Sequence, residues 1–264
     1  MYLGFNLTSS MDFSPWYTEG KRVYDEKSIE IKKDLQRYLY DGTKTFNGNL
    51  IEDDWFPKFS VDVFLSHSHA DEKTVIGFAG WLKVNFGLTV FIDSCVWGYA
   101  NDLLKMIDDQ YCRNSEDTMY DYDKRNYSTS HVHMMLSMAL TKMMDKAELV
   151  IFMETDNSIQ PVSHIVSQTT NSPWIYSELV LTNLIRKQVP NRRIEKSFEK
   201  RVFNEAEKLD VAYDVNDYLN KLIPLKDSNL RIWKQQIDQD YLIKAHPLDY
   251  LYSQFKRSEK SMSK

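Results

Sequence analysis

The chain is poor in glycine, with 8 in 264 residues, which counts against a fold that depends on many tight turns. It has two cysteines, Cys95 and Cys112, too few for a disulfide framework and without the paired spacing of a zinc site. The reading is two reduced thiols in a cytoplasmic protein. Histidine is also sparse, at six residues, where a dinuclear hydrolase needs many ligands. No apolar run is long enough to cross a bilayer, and residues 1–19 lack a basic segment followed by an apolar core, so neither a membrane span nor a secretory signal is expected. No long basic patch is present and the net charge is −5, so nucleic acid is not an expected partner. At 42% hydrophobic and 27% charged, the composition is that of a soluble globular protein, and 264 residues suit one large domain or a domain with substantial extensions.

The informative stretch is residues 61–71, Val-Asp-Val-Phe-Leu-Ser-His-Ser-His-Ala-Asp. Its first five residues are short, mostly apolar and β-branched, and predict a buried strand. Ser66, His67, Ser68, His69 and Asp71 follow as a polar turn, then a helix with Phe78, Trp81, Leu82 and Phe86 on one face. A strand, a polar turn and a helix open an α/β sheet, whose ligands bind outside the carboxyl ends of the strands. Two readings of the turn compete. One is a zinc hydrolase built on His67, His69 and Asp71, close to the His-x-His-x-Asp-His pattern of metallo-β-lactamases, although Glu72 stands where the last His belongs. The other starts from Asp62-Val-Phe-Leu-Ser-His.

The remaining chain alternates strand and helix patterns. Residues 1–20 read as irregular and 27–40 as an amphipathic helix, so 1–60 is taken as an extension packed on the core. A stop at Gly87 precedes a strand over 88–92 with Asp93 at its end, then a loop over 94–101 containing Trp97 and a helix over 100–111. Residues 113–128 read as an insert. Hydroxyls at 128–130 would cap a helix over 131–146, whose methionines Met134, Met135, Met138, Met143 and Met144 are assigned mostly to the core. His131 and His133 on this helix point to different faces. A strand spans 148–153. Ser172-Pro173 starts a helix that carries Trp174 and Glu178 one turn apart. A helix over 195–209, a strand over 211–215, helices over 217–222, 229–239 and 247–255, and a frayed tail over 256–264 complete the pattern. The expected fold is α/β, a flavodoxin-like parallel sheet with helices on both faces, with the main domain at 61–215 and a helical extension at 216–264.

In that order three segments resemble TIR (Toll/interleukin-1 receptor) domains. Asp62-Val-Phe-Leu-Ser66 resembles the first box. Gly87-Leu-Thr-Val-Phe-Ile-Asp93 resembles the second strand, with the 94–101 loop standing where the family has its BB loop. Ser172-x-Trp174-x-x-x-Glu178-Leu179 resembles the helix bearing the glutamate of NAD-cleaving members. The resemblance covers about residues 61–185. At His67 and His69 the chain departs from many TIR domains, which have Tyr-Arg or Phe-Arg there.

The resemblance implies cleavage of the nicotinamide–ribose bond of NAD, with NAD as substrate and no cofactor or metal. The products are nicotinamide and a linear or cyclic ADP-ribose signal, as in bacterial anti-phage systems such as Thoeris, sensed by a downstream effector. It implies self-association through TIR contacts. It assigns catalysis to Glu178, a carboxylate beside the oxocarbenium-like ribose, and substrate contacts to Ser66, His67, Ser68, Asp93, Trp97 and Trp174. The alternatives are a non-enzymatic TIR adaptor and the zinc hydrolase.

Overall fold

The computed structural model describes residues 1–26, 35–56, 60–114, 119–161, 168–190, 213–240 and 245–255, without the side chains of 95–97 and 161. The strands are β1 (Leu3–Thr8), β2 (Val63–Ser66), β3 (Val90–Ile92), β4 (Leu149–Met153), β5 (Gln160–Pro161), β6 (Gln168–Thr170), β7 (Tyr213–Asp214) and β8 (Ile223–Lys226). The helices are α1 (Tyr17–Glu26), α2 (Gly48–Trp55), α3 (Glu72–Phe86), α4 (Ser94–Tyr111), α5 (Tyr122–Lys146), α6 (Pro173–Leu184), α7 (Asn216–Leu219), α8 (Asp227–Gln239) and α9 (Pro247–Ser253). Five strands form one parallel sheet in the order β3-β2-β4-β1-β8. Strands β5, β6 and β7 form a small antiparallel sheet beside it. This is the expected flavodoxin-like layering of helices on both faces of a parallel sheet.

Period-two alternation divides the core. Val63 and Leu65 of β2, Val90 and Ile92 of β3, and Phe5 and Leu7 of β1 face a cluster with α3, α8 and α9. Phe64, Phe91 and Val150 face the opposite cluster, with α2, α4 and α5. Ser66 is two residues beyond Phe64 and shares its face, the side on which α6 lies. Gly87, at φ 68°, closes α3 in the left-handed conformation and sends the chain into β3. Two other glycines let α1 cross α3 closely: a Cβ on Gly20 would sit 1.8 Å from the Ile76 carbonyl oxygen, and one on Gly80 would sit 2.1 Å from that of Trp16.

Several expectations are corrected. Residues 1–60 are not an extension, because β1 lies inside the sheet between β4 and β8. Leu3, Phe5 and Leu7 alternate into the core, while Gly4 makes room for Thr182 and Leu222, which would meet a Cβ at 2.6 and 2.8 Å. The segment after 216 is not purely helical, since Ile-Pro-Leu-Lys forms β8. Pro224 is tolerated there because, among the described residues, β8 is an edge strand with one side free of ladder bonds. The expected loop 94–101 is the start of α4. The helix expected from 131 begins at Tyr122, capped by Asp121, so 122–128 belongs to α5 and not to an inserted loop. Ser128 caps nothing; its hydroxyl is buried and donates to Asp108 Oδ1 at 2.6 Å. Met143 and Met144 are core, but Met134 and Met138 are exposed. Tyr213–Asp214 joins the small sheet and not the parallel one. Of the 27–40 helix, 27–34 lie outside the described residues and Leu35–Tyr38 is a 3-10 turn. The 195–209 helix and the 256–264 tail also lie outside them.

Candidate functional site

The carboxyl ends of β2 and β3 meet α6. Ser172 starts α6 with its hydroxyl accepting from the Ile175 N–H at 3.3 Å, and Pro173 occupies the first turn. The buried stripe of α6 is Ile175, Glu178, Leu179 and Thr182, so a carboxylic acid occupies a position whose helical spacing belongs to the core. Glu178 is 2% exposed. Its Oε2 accepts from the Ser66 hydroxyl at 2.5 Å, which ties the last residue of β2 to the second turn of α6. The Glu178 side chain therefore points to the carboxyl ends of the strands, as its helical position predicts.

Asp93 and His67 complete the cluster, both at 0% exposure. Asp93 Oδ1 accepts from the Ser94 N–H at 2.8 Å and starts α4. The same oxygen is 2.6 Å from His67 Nδ1, close enough for an ion pair although the ring N–H lacks hydrogen-bond alignment. Burial pushes the His67 pKa down, but the Asp93 carboxylate, helped by Glu72 and Asp71, outweighs it and the net shift is upward. Burial, then the charge of Asp93, drives Glu178 well above the usual carboxylate range, against the opposing hydrogen bond from Ser66. Glu178 Oε1 and Asp93 Oδ2 are buried without a hydrogen-bond partner. Two ionised carboxylates offer no donor to each other. A proton on Glu178 would supply one, in the same direction as the upward shift that burial and the Asp93 charge cause.

Of the residues singled out from sequence, Ser66, His67, Asp93 and Glu178 come together. Ser68 is half-buried and opens the short turn at His69–Asp71, its carbonyl accepting from the Asp71 N–H. Trp174 does not join the cluster. It packs on the α5 side, its ring 5.7 Å from that of His133, edge to face. The Trp97 side chain lies outside the described residues. Ser94, whose buried hydroxyl also lacks a partner, was not anticipated; it became visible only once 94–101 proved helical.

The three residues of the zinc reading diverge. His67 turns inward to Asp93. His69 is exposed. Asp71 accepts from Thr155 Oγ1 at 2.5 Å and from Asn157 Nδ2 at 2.7 Å, which ties the loop after β4 to the start of α3. Among the described residues no group of three or more His, Cys, Asp or Glu side chains is placed to hold a metal ion. Among them, too, no helix is long and apolar enough to cross a membrane. No protein-family model, curated protein or solved structure matches the chain.

Proposed function

We propose that the chain cleaves the nicotinamide–ribose bond of NAD, with Glu178 as the catalytic carboxylate. The observation that carries this reading is an acid on the buried stripe of α6, held by Ser66 at the end of β2 and beside Asp93 at the end of β3. The bond to break joins a cationic ring to a ribose carbon. The ring leaves as neutral nicotinamide and takes the bonding electrons, so no acid is needed to protonate it. The positive charge then resides on the ribose, and an ionised Glu178 stabilises it. Water captures the ribose carbon and gives up a proton to solvent, or an atom of the same nucleotide captures it in a cyclisation, which completes the product. Burial raises the Glu178 pKa and so favours its neutral form. The cation entering beside it favours its ionised form, so binding itself prepares the charge that the transition state uses. For NAD to reach Glu178, the cover over the cluster must open. The nucleotide product acts as a signal for a downstream effector in anti-phage defence, in the cytoplasm, and the enzyme works as an assembly of copies.

The full burial of Glu178 favours a second reading, a non-enzymatic TIR adaptor in which the Ser66–Glu178 contact only fastens α6 to the sheet. Incubation with NAD and mass spectrometry of the products separates the two. The enzyme reading expects nicotinamide to appear with wild type, and a turnover about 10²–10³ lower in a folded Glu178→Gln protein. NAD left intact by concentrated wild type would favour the adaptor. Full activity in the variant would remove Glu178 from the mechanism.

A further inference from the structure

Helix α5 is 25 residues long, about 38 Å at 1.5 Å per residue. One side is core, through Val132, Leu136, Ala139 and Met143. The opposite side carries Tyr127, His131, Met134 and Met138. Tyr127 is 71% exposed, Met134 60% and Met138 40%, and the His131 ring, also exposed, lies edge-on to Tyr127 at 4.5 Å. Their spacing of four, three and four is that of a two-helix seam. Solvated helix faces normally carry charge, and large side chains in a continuous line outside the core mark a contact surface.

We propose that this face of α5 is a dimer seam, occupied by the same face of a second copy running antiparallel about a two-fold axis between Val132 and His133. A two-fold contact needs a patch that complements itself, and this one does. With that axis, Tyr127 lies opposite Met138 of the second copy and His131 opposite Met134 of the second copy. One turn further out, Asp123 lies opposite Lys142 of the second copy. The apolar centre is therefore closed at both ends by opposite charges, each supplied once by each copy. Asp123 is exposed in the first turn of α5. Lys142 also pairs with Glu52 of its own chain but remains half-exposed and reachable. The seam is narrow for a stable interface, so the dimer forms at micromolar concentrations and above. The surface is separate from the Ser66–Glu178 cluster, and the inference does not rest on the proposed reaction.

Sedimentation velocity on the full chain over about 1–100 µM tests it. The expected result is a concentration-dependent dimer. Met134→Lys should raise its Kd at least about tenfold with an unchanged thermal melt, since Met134 is outside the core. Asp123→Lys or Lys142→Glu alone should weaken it by about threefold to tenfold. The two together should restore much of the affinity lost by Lys142→Glu, because the reversed pair meets again in this register. A dimer indifferent to Met134→Lys and to the charge reversals would lie on another surface and overturn the proposal. So would a wild type that stays monomeric throughout. If Met134→Lys then lowers the melt, a segment of the same chain covers the stripe; an unmoved melt would leave the stripe to a different protein.

Discussion

Glu178 combines two roles that a single variant can separate. In the folded chain its pKa lies well above the ordinary glutamate range, first because it is buried and then because Asp93 is adjacent. A folded-state pKa raised in this way means that the native state binds more protons than the unfolded state above the ordinary glutamate range. Stability from this group is present in mild acid and is lost as pH rises toward the raised pKa. His67, also shifted upward, acts in the same sense: its contribution is present below 6.5 and is lost as pH climbs through its raised value. Glu178→Gln removes the ionisable group, and with it the cost that grows as pH rises, while keeping an acceptor for Ser66. Its melting temperature should exceed that of wild type by roughly 2–4 °C at about pH 8, with little difference at about pH 5. A gap that shrinks as pH rises would contradict the assignment. Asp93→Asn removes the charge that raises both neighbours. Its stability should fall by about 1–3 kcal/mol, the scale of a lost buried partner. Under the proposed reaction, the rise of kcat/KM with pH, which follows ionisation of Glu178, should move to lower pH. Melts and initial rates across a pH series read both effects.

At the scale of elements, the site depends on how closely helices press on the sheet and on each other. The crossing of α1 over α3 relies on Gly20 and Gly80, because each backbone occupies the space that the other's Cβ would need. Gly80→Ala should cost about 1–3 kcal/mol through overpacking, although alanine is the better helix former. A melting temperature unchanged or raised would show that the two helices separate without penalty. Helix α4 starts directly at the end of β3, so the residue that bears on Glu178 is also the one whose carboxylate receives the first N–H of α4. A substitution at Asp93 therefore acts on the helix start as well as on the cluster.

For the whole molecule, the placement of β1 decides what can be removed. β1 pairs with β4 along Leu3–Leu7 and with β8 along Phe5–Thr8. A chain lacking residues 1–10 loses the strand that joins β8 to the rest of the sheet and leaves two ladders unpaired. It should fail to give a cooperative melt by circular dichroism. A soluble, cooperatively folding truncation would return residues 1–60 to the status of an appended segment.

The strand ends and the helix start that frame the candidate site were legible from the residues because local rules determine them. An apolar run breaking into Ser66-His67 marks a strand end, Asp93 follows the next strand, and Ser172-Pro173 sets the helical phase that points Glu178 inward. These depend on neighbours within about one helical turn. Strand β1 was hidden because Gly4 and Asn6 lower its strand propensity, and Gly4 is explained only by Thr182 and Leu222 from distant segments. Strand β8 was hidden by Pro224, which is acceptable only at a sheet edge, and edges are a property of the assembled sheet. The early start of α4 and the outward turn of Met134 and Met138 likewise depend on packing. The same methionine spacing serves a core or a surface, and only the side on which α5 meets the sheet separates the two. Local periodicity therefore determined the layered α/β class, while the candidate acid came from the resemblance of residues 172–179 to the glutamate helix of TIR domains. Tertiary structure alone decided the strand order, the burial that raises the Glu178 pKa, and the face that α5 leaves uncovered, because each depends on which distant surfaces meet.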